Sequence, residues 1–403
     1  MRNRIALAVA LLACAAPAAA QLGAPLLGGT VRQVLGGAGG VLDPVRQAAG
    51  GLLADAGSLA RARIERLADL VRRNRATIER DADGAPARKG EVLLVDPAEA
   101  DLTATREAGF APLGRATMAE LGLVVERLQV PPGLSLARAE ALLRQRLPQA
   151  TVTADSLHEP AGATVPGGTG AAAPAASIET PVGLIDGGAG AGLDPLTRGF
   201  ASGAPRASDH GSATASLLAG AGVRRIYLAD VYGADPAGGN ALAIARALDW
   251  LVGAGVRVVS ISLVGPDNPV VSRAVAAARR RGAVIVAAVG NDGPAAPPAY
   301  PASIPGVLAV TGVDGRNRAL IEAGRARHLD YAAPGADMAA MDARGRWQRV
   351  RGTSFAAPLV AARAAAAWPG GGVTATLDRE ARPLGPPALY GRGLLCGGCR
   401  ILR

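Results

Sequence analysis

The chain has 403 residues, 49% of them hydrophobic but only 3% aromatic, with a formal net charge of +10. That length supports two domains with sizeable cores, and the composition makes those cores Ala-, Val- and Leu-built. The basic groups are scattered arginines with few aromatic rings beside them to stack on bases, which argues against a nucleic-acid binder.

The chain opens "MRNRIALAVALLACAAPAAAQ": a basic start, an apolar stretch and Ala18-Ala19-Ala20 before Gln21. This reads as an export signal over residues 1–20, cleaved after Ala20, and the apolar stretch is too short for a permanent membrane anchor. The expected location is periplasmic or secreted, with no stable membrane span. Leu11-Leu12-Ala13-Cys14 offers the alternative of a lipid-modified Cys14. Residues 21–87 form a Gly-rich and amphipathic helical leader, with an echo of "VRQVLGG" (31–37) in "VRQAAGG" (45–51). Leu59, Ile64, Leu67, Leu70, Val71 and Ile78 recur near helical spacing, as in an ordinary helix packed on its own protein.

Residues 88–158 alternate strand and helix: strands near 91–96, 121–130 and 151–157, helices near 97–109 and 135–147, the second capped by Ser135. This is a small α+β unit of ferredoxin-like size. Residues 159–177, "EPAGATVPGGTGAAAPAAS", read as a Pro/Gly/Ala linker. From 178 to 395, buried-type strands near 181–186, 224–231, 256–263, 283–291 and 306–313 flank helical stretches at 238–255 and 269–282. That order predicts an α/β domain with a mostly parallel sheet, whose ligands bind beyond the C-terminal strand ends. The excess charge sits here: residues 178–403 hold 24 basic and 16 acidic side chains. The tail, 396–403, holds Cys396 and Cys399. A local disulfide fits an exported protein, a C-x-x-C redox pair is the alternative, and two thiols do not make a zinc site.

Four polar residues stand where chemistry is expected. Pro358 in "RGTSFAAPLVAARAAAAW" sets a helix start just before it and leaves Ser354 at a helix N-terminus, where unpaired N–H groups favour an anion. Asp186 ends the first strand of the larger domain, His210 opens a helix in "SDHGSATASLLAG", and Asn291 follows an apolar strand in "AAVGNDGP". Each alone has an ordinary explanation: a capping Asp or Ser, a surface His, a turn Asn.

Together, "VGLIDGG", "HGSATAS", "AAVGNDGP" and "GTSFAAP" resemble the four motifs of the subtilisin-like serine proteases, in that family's order Asp, His, Ser. "SISLVGP", "YPASIPGVLAVTGVD", "YAAPG" and "LYGRGLL" resemble its intervening segments, so the likeness covers about residues 178–395. It implies a three-layer subtilisin-like fold preceded by an inhibitor-like pro-domain at 88–158, and an exported serine endopeptidase made as a self-processing zymogen. Its partners would be polypeptide substrates and its own pro-domain as intramolecular inhibitor. Ser354 would be the nucleophile, His210 the base, Asp186 its orienting acid and Asn291 the oxyanion-hole amide. Ser262, Leu263, Val264, Ala288 and Gly290 would line the substrate cleft. A catalytically silent binding or scaffold protein on the same fold is the alternative.

The likeness has departures. Only 23 residues separate Asp186 from His210, and the segment after the His210 helix runs almost directly into the next strand, where many relatives carry a calcium-binding loop. No calcium is therefore expected at that position, and no other metal and no cofactor are expected. Val264 stands where relatives have Gly beside the pocket for the residue before the cut bond, and Ala299 stands near its base. The added methyl groups predict a preference for small apolar residues there. Self-processing is expected between about Leu157 and Ile178.

Overall fold

The computed structural model describes residues 43–166 and 176–400; the export signal, Cys14 and the first part of the leader lie outside the described residues. The chain divides into two compact units, Met1–Gly57 and Ser58–Arg403. The described part of the first is the beginning of helix α1 (Asp43–Arg73). Among the described residues, no helix is long and apolar enough to cross a membrane.

The second unit begins with the remainder of α1 and an antiparallel sheet. Its elements are β1 (Ile78–Arg80), β2 (Pro86–Val95), α2 (Glu99–Glu107), β3 (Ala111–Met118), β4 (Leu123–Gln129), α3 (Leu136–Arg146) and β5 (Thr151–Ser156). β3, β4, β2 and β5 lie side by side in that order, a split βαβ arrangement of ferredoxin-like type, with β1 paired to the start of β2. Ser135 caps α3, its hydroxyl accepting from the Arg138 N–H. Alternation along β2 sends Val92 and Leu94 to the helix side with Leu136, Ala139 and Leu143, and Leu93 and Val95 to the opposite face.

The sequence from Glu159 to Pro166, expected as linker, is paired backbone instead: β6 (Glu159–Pro160) and β7 (Ala163–Pro166). Both strands find partners in the larger domain, far away in sequence, which is why local composition reads as a loop.

The larger domain follows: β8 (Val182–Asp186), β9 (Leu196–Gly199), α4 (Asp209–Gly220), β10 (Ile226–Asp230), α5 (Ala241–Gly253), β11 (Val258–Ile261), β12 (Leu263–Val264), α6 (Pro269–Arg280), β13 (Val284–Ala288), β14 (Leu308–Val313), β15 (Tyr331–Pro334), β16 (Met338–Met341), β17 (Trp347–Arg351), α7 (Ala356–Ala367), α8 (Val373–Glu380) and α9 (Pro387–Tyr390). Seven strands form one parallel sheet in the order β15-β14-β13-β11-β8-β10-β9. The five expected strands are all there; the short edge strands β9 and β15 are additions.

Neighbouring residues along each strand face opposite layers. Ile185, Val259, Ile285 and Ala287 pack with α5 and α6. Leu184, Val258, Val286 and Ala288 pack with α4 and α7. The result is a three-layer sandwich. The Ala-rich α7 is buried along most of its length, and its small side chains let it lie close against the sheet. Cys396 and Cys399 form a disulfide.

The antiparallel sheet packs on the outer side of α5 and α6, and polar side chains pin it there. The Asp249 carboxylate on α5 accepts from the Glu120 and Leu121 N–H groups. Asp155 on β5 accepts from the Leu242 N–H at the start of α5. Asn268 caps α6 through Val270 N–H at 2.9 Å and donates its amide to the Ala154 carbonyl at 2.9 Å. Its side chain is buried, so its loss leaves buried backbone groups unsatisfied. Asn268→Ala should therefore lower the unfolding free energy of the full chain by about 1–3 kcal/mol, and Asn268→Asp, which keeps the cap but loses the amide donor, should fall between. Urea unfolding of both variants in a Ser354→Ala chain checks this; no loss in Asn268→Ala would contradict it.

Candidate active site

Three strand or helix ends converge at the C-terminal edge of the parallel sheet. Asp186 is the last residue of β8, His210 lies in the first turn of α4, and Ser354 sits in a 3-10 turn (Thr353–Phe355) leading into α7. Pro358 falls in the first turn of α7, as its missing N–H requires. His210 Nδ1 lies 2.8 and 2.9 Å from the two Asp186 carboxylate oxygens, and Nε2 lies 3.0 Å from Ser354 Oγ. With Nδ1–H facing the carboxylate, Nε2 presents its lone pair to the serine hydroxyl. The Phe355 ring packs against the imidazole, ring centres 5.3 Å apart.

The Asp186 carboxylate is fully buried, and a buried carboxylate must be met by donors. Besides the imidazole it accepts from the Gly187 N–H at 2.7 Å and the Thr214 hydroxyl at 3.1 Å. Thr214 was not among the expected site residues. It lies one helical turn after His210, so helix spacing alone puts it on the same face.

The site is filled by the chain itself. The carbonyl oxygen of Ala161 accepts from the Ser354 N–H at 2.9 Å and from the Asn291 side-chain amide. Asn291 is oriented by its own oxygen, which accepts from the Thr353 N–H at 3.0 Å. Gly352, at φ +143, lets this approach happen: a Cβ there would stand 2.6 Å from both Asn291 Nδ2 and Gly162 Cα. Gly162 is equally tight, since a Cβ on it would stand 2.2 Å from Ser354 Oγ.

On either side of this point the segment is held as added strand. Ala161 donates its N–H to the Ser262 carbonyl at 3.2 Å, and β6 pairs antiparallel with β12, Glu159 against Val264 and Pro160 against Leu263. β7 pairs antiparallel with β17, Ala163 against Arg351 through Pro166 against Gln348. Backbone pairing of this kind holds an extended peptide whatever its side chains. Among the expected cleft residues, Ser262, Leu263 and Val264 touch the segment. Gly290 stands beside Val264, whose two methyls would lie 3.4 and 3.6 Å from a Cβ on Gly290. Ala288 lies beneath them in the core between sheet and α7. Val264, Gly290 and Ala299 line a cavity of about 450 Å³ between the cleft and helix α1.

Sequence reading gave no sign of a role for His158, three residues before Ala161. Its backbone is gripped by the Gly239 carbonyl and the Tyr232 hydroxyl, the latter donating to the His158 carbonyl at 2.7 Å. Its ring is fully buried against Gly265, and neither ring nitrogen has a hydrogen-bond partner. Burial pushes this imidazole from 6.5 down to about 4. A docked ring stays neutral while a released one takes up a proton, so docking is undiminished above pH 6.5 and weakens as pH falls toward 4. Asp155 acts in the opposite sense: burial, then the nearby Glu91 charge, raises its carboxyl from 3.8 to about 7. Its contribution fades as pH rises across that range.

The chain is similar to known proteins over its larger domain. Residues 199–370 match the model of the subtilase family, a stretch holding His210, Asn291 and Ser354 and beginning after Asp186. Subtilisin BL from Lederbergia lenta is 33% identical over 177 residues, 42% of this chain and 65% of the relative. The alkaline protease of Shouchella clausii is 32% identical over 177 residues, 42% of this chain and 46% of its own length. The chain thus spans less than two thirds of these relatives. Among solved structures, fervidolysin from Fervidobacterium pennivorans has a TM-score of 0.62 at 15% identity, covering 78% of this chain and 61% of that one. The epidermin leader peptide processing protease of Staphylococcus aureus has a TM-score of 0.58 at 13% identity, covering 77% and 97%. These two likenesses establish the subtilisin-like fold.

The buried imidazole gives a pH-dependent prediction. In a Ser354→Ala chain, His158→Phe keeps a flat ring and removes the titration, while Asp155 is common to both proteins. The melting temperature of the chain that keeps His158 should fall relative to that of the His158→Phe variant as pH is lowered from 6.5 toward 4. A difference that stays constant across this range would show that the ring is not held neutral.

Proposed function

We propose, from the match of residues 199–370 to the subtilase family model, that the chain is an exported serine endopeptidase made as a zymogen, and that its first substrate is its own Ala161–Gly162 bond. The observation that carries this reading is the Ala161 carbonyl oxygen lying between two donors beside a serine hydroxyl 3.0 Å from an imidazole nitrogen. Two donors at a carbonyl oxygen are worth most when that oxygen becomes an anion.

In this mechanism Ser354 Oγ attacks the Ala161 carbonyl carbon while His210 Nε2 takes its proton. The oxyanion rests on the Ser354 N–H and the Asn291 amide, and Asp186 holds the imidazolium in place. His210 then gives the proton to the Gly162 nitrogen. The C–N bond breaks, leaving Ala161 as an ester on Ser354. Water attacks the ester, its proton passing to His210 and on to the departing Ser354 oxygen, and Ala161 leaves as a carboxylate. Residues 88–158 serve as the inhibitor domain, docked on α5 and α6 until released, and the mature protein acts on polypeptides in the periplasm or outside the cell. The methyl group of Ala161 is the side chain next to the cut. Val264, a side chain at the cleft wall beside Gly290, supports a preference for similarly small apolar residues in other substrates.

Purified residues 21–403 should split to give a new N-terminus at Gly162, and Ser354→Ala should stay whole, by intact mass and N-terminal mapping. A cut elsewhere would refute the junction. A chain that neither cuts nor labels with a fluorophosphonate would be a binding protein on the same fold. Gly162→Val, which forces a side chain into Ser354, should slow the cut by at least roughly tenfold.

For the mature enzyme, a peptide library should show Ala or Val before the cut bond. A profile led by Phe, Leu or Tyr would refute that preference.

A further inference from the structure

The N-terminal edge of the parallel sheet, the edge opposite Ser354, has no role in the chemistry above, and arginines crowd it. Arg224 and Arg225 precede β10, Arg257 precedes β11, and Arg279, Arg280 and Arg281 close α6 ahead of β13. Hydrogen bonds tie them into one strip. The Arg225 carbonyl accepts from the Val182 N–H at the start of β8, at 3.0 Å, and the Arg257 carbonyl from the Val284 N–H at the start of β13, at 2.8 Å. The Arg257 guanidinium donates to the Arg281 carbonyl at 3.1 Å, and Arg279 to the Pro305 carbonyl ahead of β14 at 3.0 Å. The strip therefore crosses five neighbouring strands, β14, β13, β11, β8 and β10, roughly 20 Å at the usual strand spacing. Its charges are hardly neutralised. Among the described residues, Arg281 alone of the six meets a carboxylate, that of Glu120 at 3.7 Å. Arg224 donates to the Ser177 hydroxyl and Arg225 to the Glu179 backbone carbonyl. Elsewhere in this domain arginines end on carboxylates, as Arg318 does on Asp314, Arg346 on Asp342 and Arg363 on Glu380. All six but Arg257 are exposed.

An apolar hollow continues the strip. α7 runs from Ser354 back to this edge and is followed there by Trp368-Pro369-Gly370. Trp368 is half-buried and lines a cavity of about 380 Å³ together with Val373 and Val284, the residue bonded to Arg257. We propose that this edge is a docking surface for an anionic lipid bilayer, with the arginines on headgroup phosphates and Trp368 beside them at headgroup level. A guanidinium fork meets two phosphate oxygens at once, and tryptophan favours the boundary between membrane and water. Charge alone would suit any polyanion; the tryptophan-lined hollow beside it suits a surface that is anionic outside and apolar just beneath. Asp186, His210 and Ser354 stand at the other ends of the same strands. A protein docked by this edge therefore turns its cleft toward the solution.

Sedimentation with vesicles tests this on residues 21–403 carrying Ser354→Ala, so the result is independent of peptidase activity. The chain should sediment with phosphatidylcholine vesicles holding about 30 mol% phosphatidylglycerol and not with phosphatidylcholine alone. Its apparent affinity should fall at least roughly tenfold between about 50 and about 500 mM NaCl. Arg225→Glu with Arg280→Glu should weaken binding at low salt by at least roughly tenfold. Arg138→Glu with Arg146→Glu makes the same charge change at exposed positions on α3 and should alter it less than about twofold. Lipids with brominated acyl chains should quench part of the tryptophan emission, and Trp368→Phe should remove that quenching. Equal binding to neutral vesicles, or a strip reversal no more harmful than the α3 reversal, would overturn the proposal. Binding without quenching of Trp368 would mark a general polyanion site and overturn it too. Where the Arg225 and Arg280 variant does not fold, the salt series on the chain without it decides, and binding insensitive to salt overturns the proposal.

Discussion

The geometry of the site depends on where one carbonyl oxygen sits. Ala161 O takes hydrogen bonds from the Ser354 N–H and the Asn291 amide, and both donors exist because of constraints elsewhere. The serine N–H is available because it opens a 3-10 turn ahead of α7, where no earlier carbonyl in the helix can claim it. The asparagine amide faces inward because its oxygen is tied to Thr353 N. Two short strands then hold the segment against sliding, β6 on β12 and β7 on β17, one on each side of the carbonyl.

Burial sets the electrostatics of this region. Asp186 sits away from water with three donors meeting its two oxygens. His158, with no such partners, is held as a neutral ring. Both are excluded from solvent to a similar degree, and the difference lies wholly in what surrounds them. The same contrast separates the arginines of α1, which end in carboxylates at the surface, from the apolar side chains of that helix that turn inward.

Much of this was legible in the chain. The strand–helix alternation from 178 to 395 follows from apolar runs of strand length between helical stretches, and a parallel sheet writes such runs plainly because both its faces are covered. Pro358 marked the start of α7, and Ser135 the start of α3. Val264 was visible as a side chain where a glycine would leave more room. What stayed hidden depends on partners distant in sequence. "EPAGATVP" has the composition of a linker, and nothing local marks it as strand, since its partners are β12 and β17, roughly a hundred or more residues away. His158 looked like an ordinary domain-end residue because its burial comes from Gly265 and Tyr232. The contacts of Arg66 need Glu159 and Asp292 brought together, and no window of sequence contains all three.

If the chain cuts itself as proposed, the pairing of β7 with β17 outlasts the cut. On the proposed reading, a cut between Ala161 and Gly162 leaves β7 at the new N-terminus of the larger domain, still joined to it through residues 167–177. The strand that lay beyond the cut as substrate becomes a permanent appendage. A tethered strand meets its site at an effective concentration set by the tether rather than by the solution. Incoming polypeptides would therefore compete with the enzyme's own first residues for the β17 edge. Substrates whose grip lies mainly on the β12 side avoid that competition, so an enzyme that began by cutting itself would favour partners recognised chiefly before the cut.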